Sequence, residues 1–168
     1  NENVKSTIYH AGLTNKERED SQIDFVYDRV EVVVATNAFG MGIDKSNVRY
    51  VVHYNMPGDI ESYYQEAGRA GRDGLKSECI LLFSERDKGL HEYFITVSQA
   101  DDDYKDKMGE KLTKMLQYTK TKKCLEATIV HYFEPNENLE ECEQCSNCVQ
   151  ENITYEMKRE AKMIISCK

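Results

Sequence analysis

The sequence predicts an α/β fold built on parallel strands, continuing into a helical region that ends in a cysteine-rich loop. Three observations predict it. Short β-branched runs alternate with helical patterns, the rhythm of a parallel sheet crossed by helices. Glycine-containing stretches lie close behind these runs, and ligands in such sheets bind outside the carboxyl ends of the strands. Beyond residue 84 the strand pattern gives way to helical ones, and Cys142, Cys145 and Cys148 follow at two-residue spacers.

Taken in order, Thr7-Ile8-Tyr9-His10 reads as a short strand. Thr14 with Glu17 forms a capping box, and the helix behind it extends to about Tyr27. Val32 to Ala35 is a continuous apolar run that suits a strand covered on both faces. Tyr50 to Tyr54 and Cys79 to Phe83 are two more such runs. Between them, Ile60, Tyr63, Tyr64 and Ala67 fall on one helical face, with Asp59 at the N-cap position. Ser84 caps a helix running through Leu90, Phe94 and Val97, and Asp101-Asp102-Asp103 reads as a break. Helical patterns then span Tyr104 to Tyr118 and Thr121 to Phe133, which places Cys124 on a helix face; Pro135 stops the second. Thr154 to Cys167 reads as one further helix.

The chain has 168 residues, room for one domain or two small ones. A hydrophobic fraction of 40% is ordinary for a soluble fold. No apolar run approaches the roughly 18 residues that a membrane helix needs, and no secretory signal pattern opens the sequence. The expectation is a soluble intracellular protein without membrane contact, cytoplasmic, or nuclear in a eukaryote. The net charge of -8 argues against a free-standing nucleic-acid binder. The acid is concentrated in Asp101–Asp103 and between Glu134 and Glu143, which leaves room for a local phosphate-facing patch.

The stretch Gln65-Glu66-Ala67-Gly68-Arg69-Ala70-Gly71-Arg72-Asp73-Gly74 sets two arginines among three glycines at a helix end. A guanidinium is a permanent forked cation suited to phosphate, and in phosphoryl transfer it stabilises transition-state charge. Read in isolation, the stretch is a glycine-rich turn with solvated arginines, and the rest of the chain decides against that reading. It resembles motif VI of the superfamily-two helicases, in the wording found in the RecQ DNA helicases. Ala35-Thr36-Asn37-Ala38-Phe39-Gly40-Met41-Gly42-Ile43-Asp44-Lys45 resembles RecQ motif V, and Tyr9-His10-Ala11-Gly12-Leu13 resembles the segment before it. The resemblance covers most of the chain, in the family's order and spacing.

The resemblance implies a RecA-like second helicase domain, of the P-loop NTPase type. It implies that Arg72 is an arginine finger toward the γ-phosphate of ATP, that Arg69 is a second phosphate contact, and that Gln65 links ATP to the domain interface. The motif V loop, with Thr36 and Asn37 directly after a strand and Gly42 among its glycines, would couple nucleotide to the DNA backbone. Asp44 would bond the ATP ribose, and Lys45 would meet phosphate or a nearby acid. His10 and Gly12 would lie near DNA. From the residues alone, Thr36 and Asp44 serve equally as caps, and Phe39, Met41 and Ile43 as core.

Four thiolates, Cys124 with Cys142, Cys145 and Cys148, make a tetrahedral zinc site whose two-residue spacers let the loop wrap the ion. The alternatives are free thiols or a redox pair. The segment resembles the RecQ zinc-binding domain, which assigns the same four ligands. It departs from the family pattern in carrying Leu125-Glu126, where arginines often follow the first ligand. Cys79 reads as a core residue of its strand, and Cys167 is unassigned.

No G-x-x-x-x-G-K-[S/T] and no Asp-Glu-x-His occurs in the sequence. In the family these belong to a first RecA-like domain. The expectation is therefore an internal portion of an ATP-dependent, 3′-to-5′ DNA helicase of recombination and repair. Its divisions are residues 1–90 for the second RecA-like domain, 91–153 for the zinc domain and 154–168 for the approach to a winged helix. Structural zinc, with ATP and Mg²⁺ in the whole enzyme, are the implied cofactors. Single-stranded DNA, duplex junctions and the first RecA-like domain are the implied partners. Two rival readings are a non-enzymatic zinc module that binds DNA or protein, and an RNA helicase with a similar motor.

Overall fold

Strands alternate with helices and then give way to helices alone. The computed structural model describes residues 4–37, 39 and 45–149. Gly42, Asp44 and the expected helix at 154–167 lie outside the described residues. These divide into two compact units, one within residues 4–45 and the other spanning 46–149.

In the first unit, β1 (Ser6–Tyr9) pairs in parallel with β2 (Val32–Ala35), with Tyr9 opposite Ala35. The crossover is α1 (Asn15–Val26). It starts where the sequence predicts: Thr14 accepts from the Glu17 N–H while the Glu17 carboxylate accepts from the Thr14 N–H, so two orphan amides are satisfied at once. Phe39 sets its ring against Tyr9 and Phe25, with centroids 4.9 and 5.9 Å away. The core alternative therefore describes Phe39.

In the second unit, β3 (Tyr50–His53) pairs in parallel with β4 (Glu78–Leu81), joined through α2 (Ile60–Ala67). Three helices follow: α3 (Glu85–Val97), α4 (Asp102–Lys120) and α5 (Leu125–Phe133). The core is shared. Met56, Ile60 and Tyr63, from the β3–α2 segment, are buried with Leu112, Met115 and Tyr118 of α4, and Leu125, Ile129 and Tyr132 of α5 pack against them. The loop before α2 is pinned from α3. The buried Asp87 carboxylate accepts from Asn55 Nδ2, the Met56 N–H and the Ser84 N–H, and His91 Nε2 bonds the Met56 carbonyl.

Four sequence expectations need correction. β2 is not covered on both faces: Val32 and Val33 are half-buried, and Val34 and Ala35 are exposed. Asp101–Asp103 is not a break but the start of α4: Asp101 caps it by accepting from the Tyr104 N–H, and Asp102 and Asp103 place negative charge at the positive end of the helix. The last helix starts at Leu125 rather than Thr121, so Cys124 is its N-cap and not part of a helix face. Cys79 lies in β4 as expected but is exposed rather than core, its thiol directed at the Ala67 carbonyl.

Candidate nucleotide interface and metal centre

The arginine loop grows out of α2. Asp59 caps that helix, its carboxylate 2.6 Å from the Ser62 N–H. His53, buried at the end of β3, holds the helix through a 2.8 Å contact between Nε2 and Glu66 Oε2. After Ala67 the backbone turns through Gly68, and the chain is tied to the segment before β3. The Gly71 N–H bonds the Val48 carbonyl at 2.9 Å, and the Asp73 N–H bonds the Ser46 carbonyl at 3.3 Å. Gly71 has φ +63°, and a Cβ there would collide with Ser77 Oγ and sit 3.0 Å from the Leu75 carbonyl. Glycine is required at this position for both reasons. Arg72 is exposed, its Nε 3.4 Å from the Gly68 carbonyl; Arg69 is half-buried and Gln65 exposed. Three of the residues expected to serve nucleotide, Gln65, Arg69 and Arg72, thus sit on one helix end and its loop.

Sequence reasoning missed Arg49. Its guanidinium bonds the Asp73 carboxylate and the carbonyls of Asn47, Lys76 and Ser46. Arg49 holds the Asp73 carboxyl below the usual carboxylate range, and the Leu75 N–H adds to the effect. The usable signal was an arginine directly before a strand opposite an Arg-Asp-Gly turn, and it lay outside the motifs that drew attention.

In the first unit the parallel register brings His10 and Thr36 side by side, because each follows the end of its strand. The Thr36 N–H bonds the Tyr9 carbonyl, and Asn37 is exposed beside it. His10 Nδ1 accepts from the Gly12 N–H at 3.1 Å. Lys45 meets an acid: its buried ammonium lies 2.6 Å from Asp28 and 5.1 Å from the Phe25 ring centroid. Of the two expectations for Lys45, this geometry matches the acid partner.

The four predicted thiols converge. Cys124, Cys142, Cys145 and Cys148 place their sulfurs within 4.8 Å of one another, and the shorter separations are 3.5, 3.9 and 4.0 Å. Zinc–sulfur bonds of about 2.3 Å at tetrahedral angles require edges near ~3.8 Å, so the cluster fits zinc. Amides are aimed at the sulfurs: Leu125 at Cys145, Ala127 at Cys124, and Cys145 at Cys142. Such donors favour thiolates. Burial pushes Cys142 up to about 12. At Cys145 burial pushes the same way but is outweighed by the Leu125 and Cys148 amides, which bring that thiol down to about 6. Asn147 Nδ2 donates to the Thr121 and Lys123 carbonyls, fastening the loop to the turn that carries Cys124. Among the described residues no helix is long and apolar enough to cross a membrane.

Comparison with known proteins agrees with this geometry. Residues 1–74 match the helicase conserved C-terminal domain, and residues 85–149 match the RecQ zinc-binding domain. The chain is 46% identical over 164 residues to an ATP-dependent DNA helicase RecQ of Bacillus subtilis, covering 98% of this chain and 27% of that protein. The RecQ of Pasteurella multocida is 38% identical, with 99% of this chain and 26% of that protein covered. A protein of Acanthamoeba polyphaga mimivirus, named provisionally as an ATP-dependent RNA helicase, is 40% identical over 94% of this chain and 30% of its own length. The chain thus spans about a quarter to a third of the length of these relatives. With an α/β unit bearing the motif VI arginines, a four-cysteine cluster after it in sequence and both domain matches in that order, the chain carries a helicase C-terminal domain followed by a RecQ-type zinc-binding domain.

Proposed function

We propose that this chain supplies the second motor half and the zinc domain of an ATP-dependent DNA helicase that travels 3′ to 5′ and serves recombination and repair. The observation that carries the reading is the arginine loop, backed by a core that also contains the helices of the zinc domain. The divisions are residues 1–90 for the motor half, 91–153 for the zinc domain and 154–168 for the approach to a winged helix. The phosphate cradle and the magnesium ligand come from a first RecA-like domain, since these 168 residues contain neither motif.

Arg72 is the arginine finger. When the two motor domains close, its guanidinium reaches the γ-phosphate and stabilises the charge that develops in transfer. Arg69 contacts phosphate beside it, and Gln65 joins the site to the domain interface. Gly42 gives the motif V backbone close approach, and Asp44 takes the ribose. His10, Thr36 and Asn37, at the strand ends of the first unit, face the DNA backbone, and Lys45 supports that edge through Asp28. Opening after hydrolysis releases Arg72 and advances the protein along one strand. Zinc, held by Cys124, Cys142, Cys145 and Cys148, is structural. The substrates are single-stranded DNA and duplex junctions, and the compartment is that of the genome, the cytoplasm in a bacterium.

A second reading, an RNA helicase, is favoured by the name of the mimiviral relative. One experiment separates them: strand separation by the whole protein with ATP, on matched DNA and RNA duplexes bearing 3′ or 5′ tails. The expected result is separation of DNA with a 3′ tail. Preference for RNA, or for a 5′ tail, overturns the substrate or the polarity.

A further inference from the structure

The loop carrying Arg72 is held from a direction that the motifs do not reveal. Residues 46–49 follow directly on motif V in the sequence, and this short segment is laced to the loop 71–76. Two backbone bonds do part of the work, Gly71 N–H to Val48 and Asp73 N–H to Ser46. The Arg49 side chain does the rest, gathering the Asp73 carboxylate at one end of the turn and the Lys76 carbonyl, 3.2 Å away, at the other. Asp73 is the residue next to Arg72, and its other oxygen accepts from the Leu75 N–H at 3.1 Å. Both side chains are largely screened from solvent, 32% and 24% exposed. A bidentate-capable cation with several fixed acceptors loses little freedom in holding them.

We propose that Arg49 is a positioning residue for hydrolysis: with Asp73 it forms a clasp that sets where Arg72 points and ties the exit of motif V to the motif VI loop. This rests on the reading of Arg72 as the finger. Arg49 itself touches no nucleotide. It acts by fixing the turn on which the finger stands, and a displacement of about 1 Å in a catalytic group can cost up to about a hundredfold in rate.

The test uses the whole enzyme with Arg49→Gln, Asp73→Asn, Arg72→Ala, and each of the first two combined with the third. Nucleotide binding and single-turnover ATP hydrolysis are measured with saturating single-stranded DNA. The clasp predicts that Arg49→Gln and Asp73→Asn each lower hydrolysis roughly ten- to hundredfold while nucleotide affinity stays within about twofold. It also predicts that neither adds a further loss in the Arg72→Ala background. Arg49→Lys, which keeps the cation without the fork, recovers part of the rate. Asp73→Asn preserves side-chain shape and the Leu75 bond, so it carries the test if Arg49→Gln does not fold. Unchanged hydrolysis in Asp73→Asn, or losses that add in full to that of Arg72→Ala, overturns the clasp. If Arg72→Ala itself hydrolyses ATP normally, the finger reading has failed instead.

Discussion

Gly71 and Asp73 show how much of the arginine loop is decided by single residues. At Gly71 the left-handed backbone and the nearby Ser77 and Leu75 leave no room for a side chain. Gly71→Ala should therefore destabilise the protein by more than about 1 kcal/mol, measured by denaturant unfolding. A value near zero would mean that the loop relaxes without cost. Asp73 makes a pH prediction. Its folded pKa is depressed, chiefly by the Arg49 bond, so its contribution to stability is full above the ordinary carboxylate range and fades as pH falls through the lowered folded value. An NMR titration of the Asp73 carboxyl should find its midpoint below that range, and Arg49→Gln should move it up. At this scale the sequence was legible where residue type dictates chemistry: paired arginines, spaced cysteines, a threonine–glutamate box. Arg49 was not legible, because its role comes from a contact made 24 residues away in the chain. Lys45 had two expected partners in the sequence, and only the fold put Asp28 within its reach.

The helices and strands followed their local signals closely, and the departures have local causes. Thr14, Asp59 and Ser84 cap helices where the sequence placed them. The acidic triplet was misread as a break because like charges suggest a solvated loop, whereas at a helix N-terminus they meet the dipole. The start of α5 was expected about one turn early, because sulfur is not among the usual capping atoms, yet Cys124 Sγ accepts the Ala127 N–H here. α4 carries the most exacting packing. Met115 of α4 is fully buried in the shared core, so Met115→Ala should cost about 2–5 kcal/mol in unfolding free energy. A loss below about 1 kcal/mol would place α4 outside the core. For α5, the zinc loop and the helix start are one construction. Cys145→Ser should lower zinc content well below one per chain by elemental analysis, and hydrogen exchange at the Leu125 and Ala127 amides should speed up. Retained zinc with unchanged exchange would contradict the four-thiolate site.

At the level of the molecule, the second unit joins α2, which leads into the arginine loop, and the helices of the four-cysteine region through one hydrophobic core. This was not legible from the sequence, whose division after residue 90 says nothing of α4 and α5 packing on the β3–α2 segment. Long-range packing between α2 and α4 carries no local signature. Chelation of zinc from the whole enzyme should consequently lower its Tm and weaken hydrolysis together, and hydrolysis that persists unchanged would mean that the zinc domain is energetically separate. The proposal that the phosphate cradle comes from a first motor domain predicts that the 168 residues alone hydrolyse ATP no faster than buffer, and turnover that survives repurification and is lost in Arg72→Ala would contradict it. The most direct test of the account is the effect of Arg72→Ala on ATP turnover by the whole enzyme, measured beside nucleotide affinity. The account predicts that kcat falls by about a thousandfold or more, the range seen for arginine fingers, while nucleotide still binds. An unchanged kcat would contradict it.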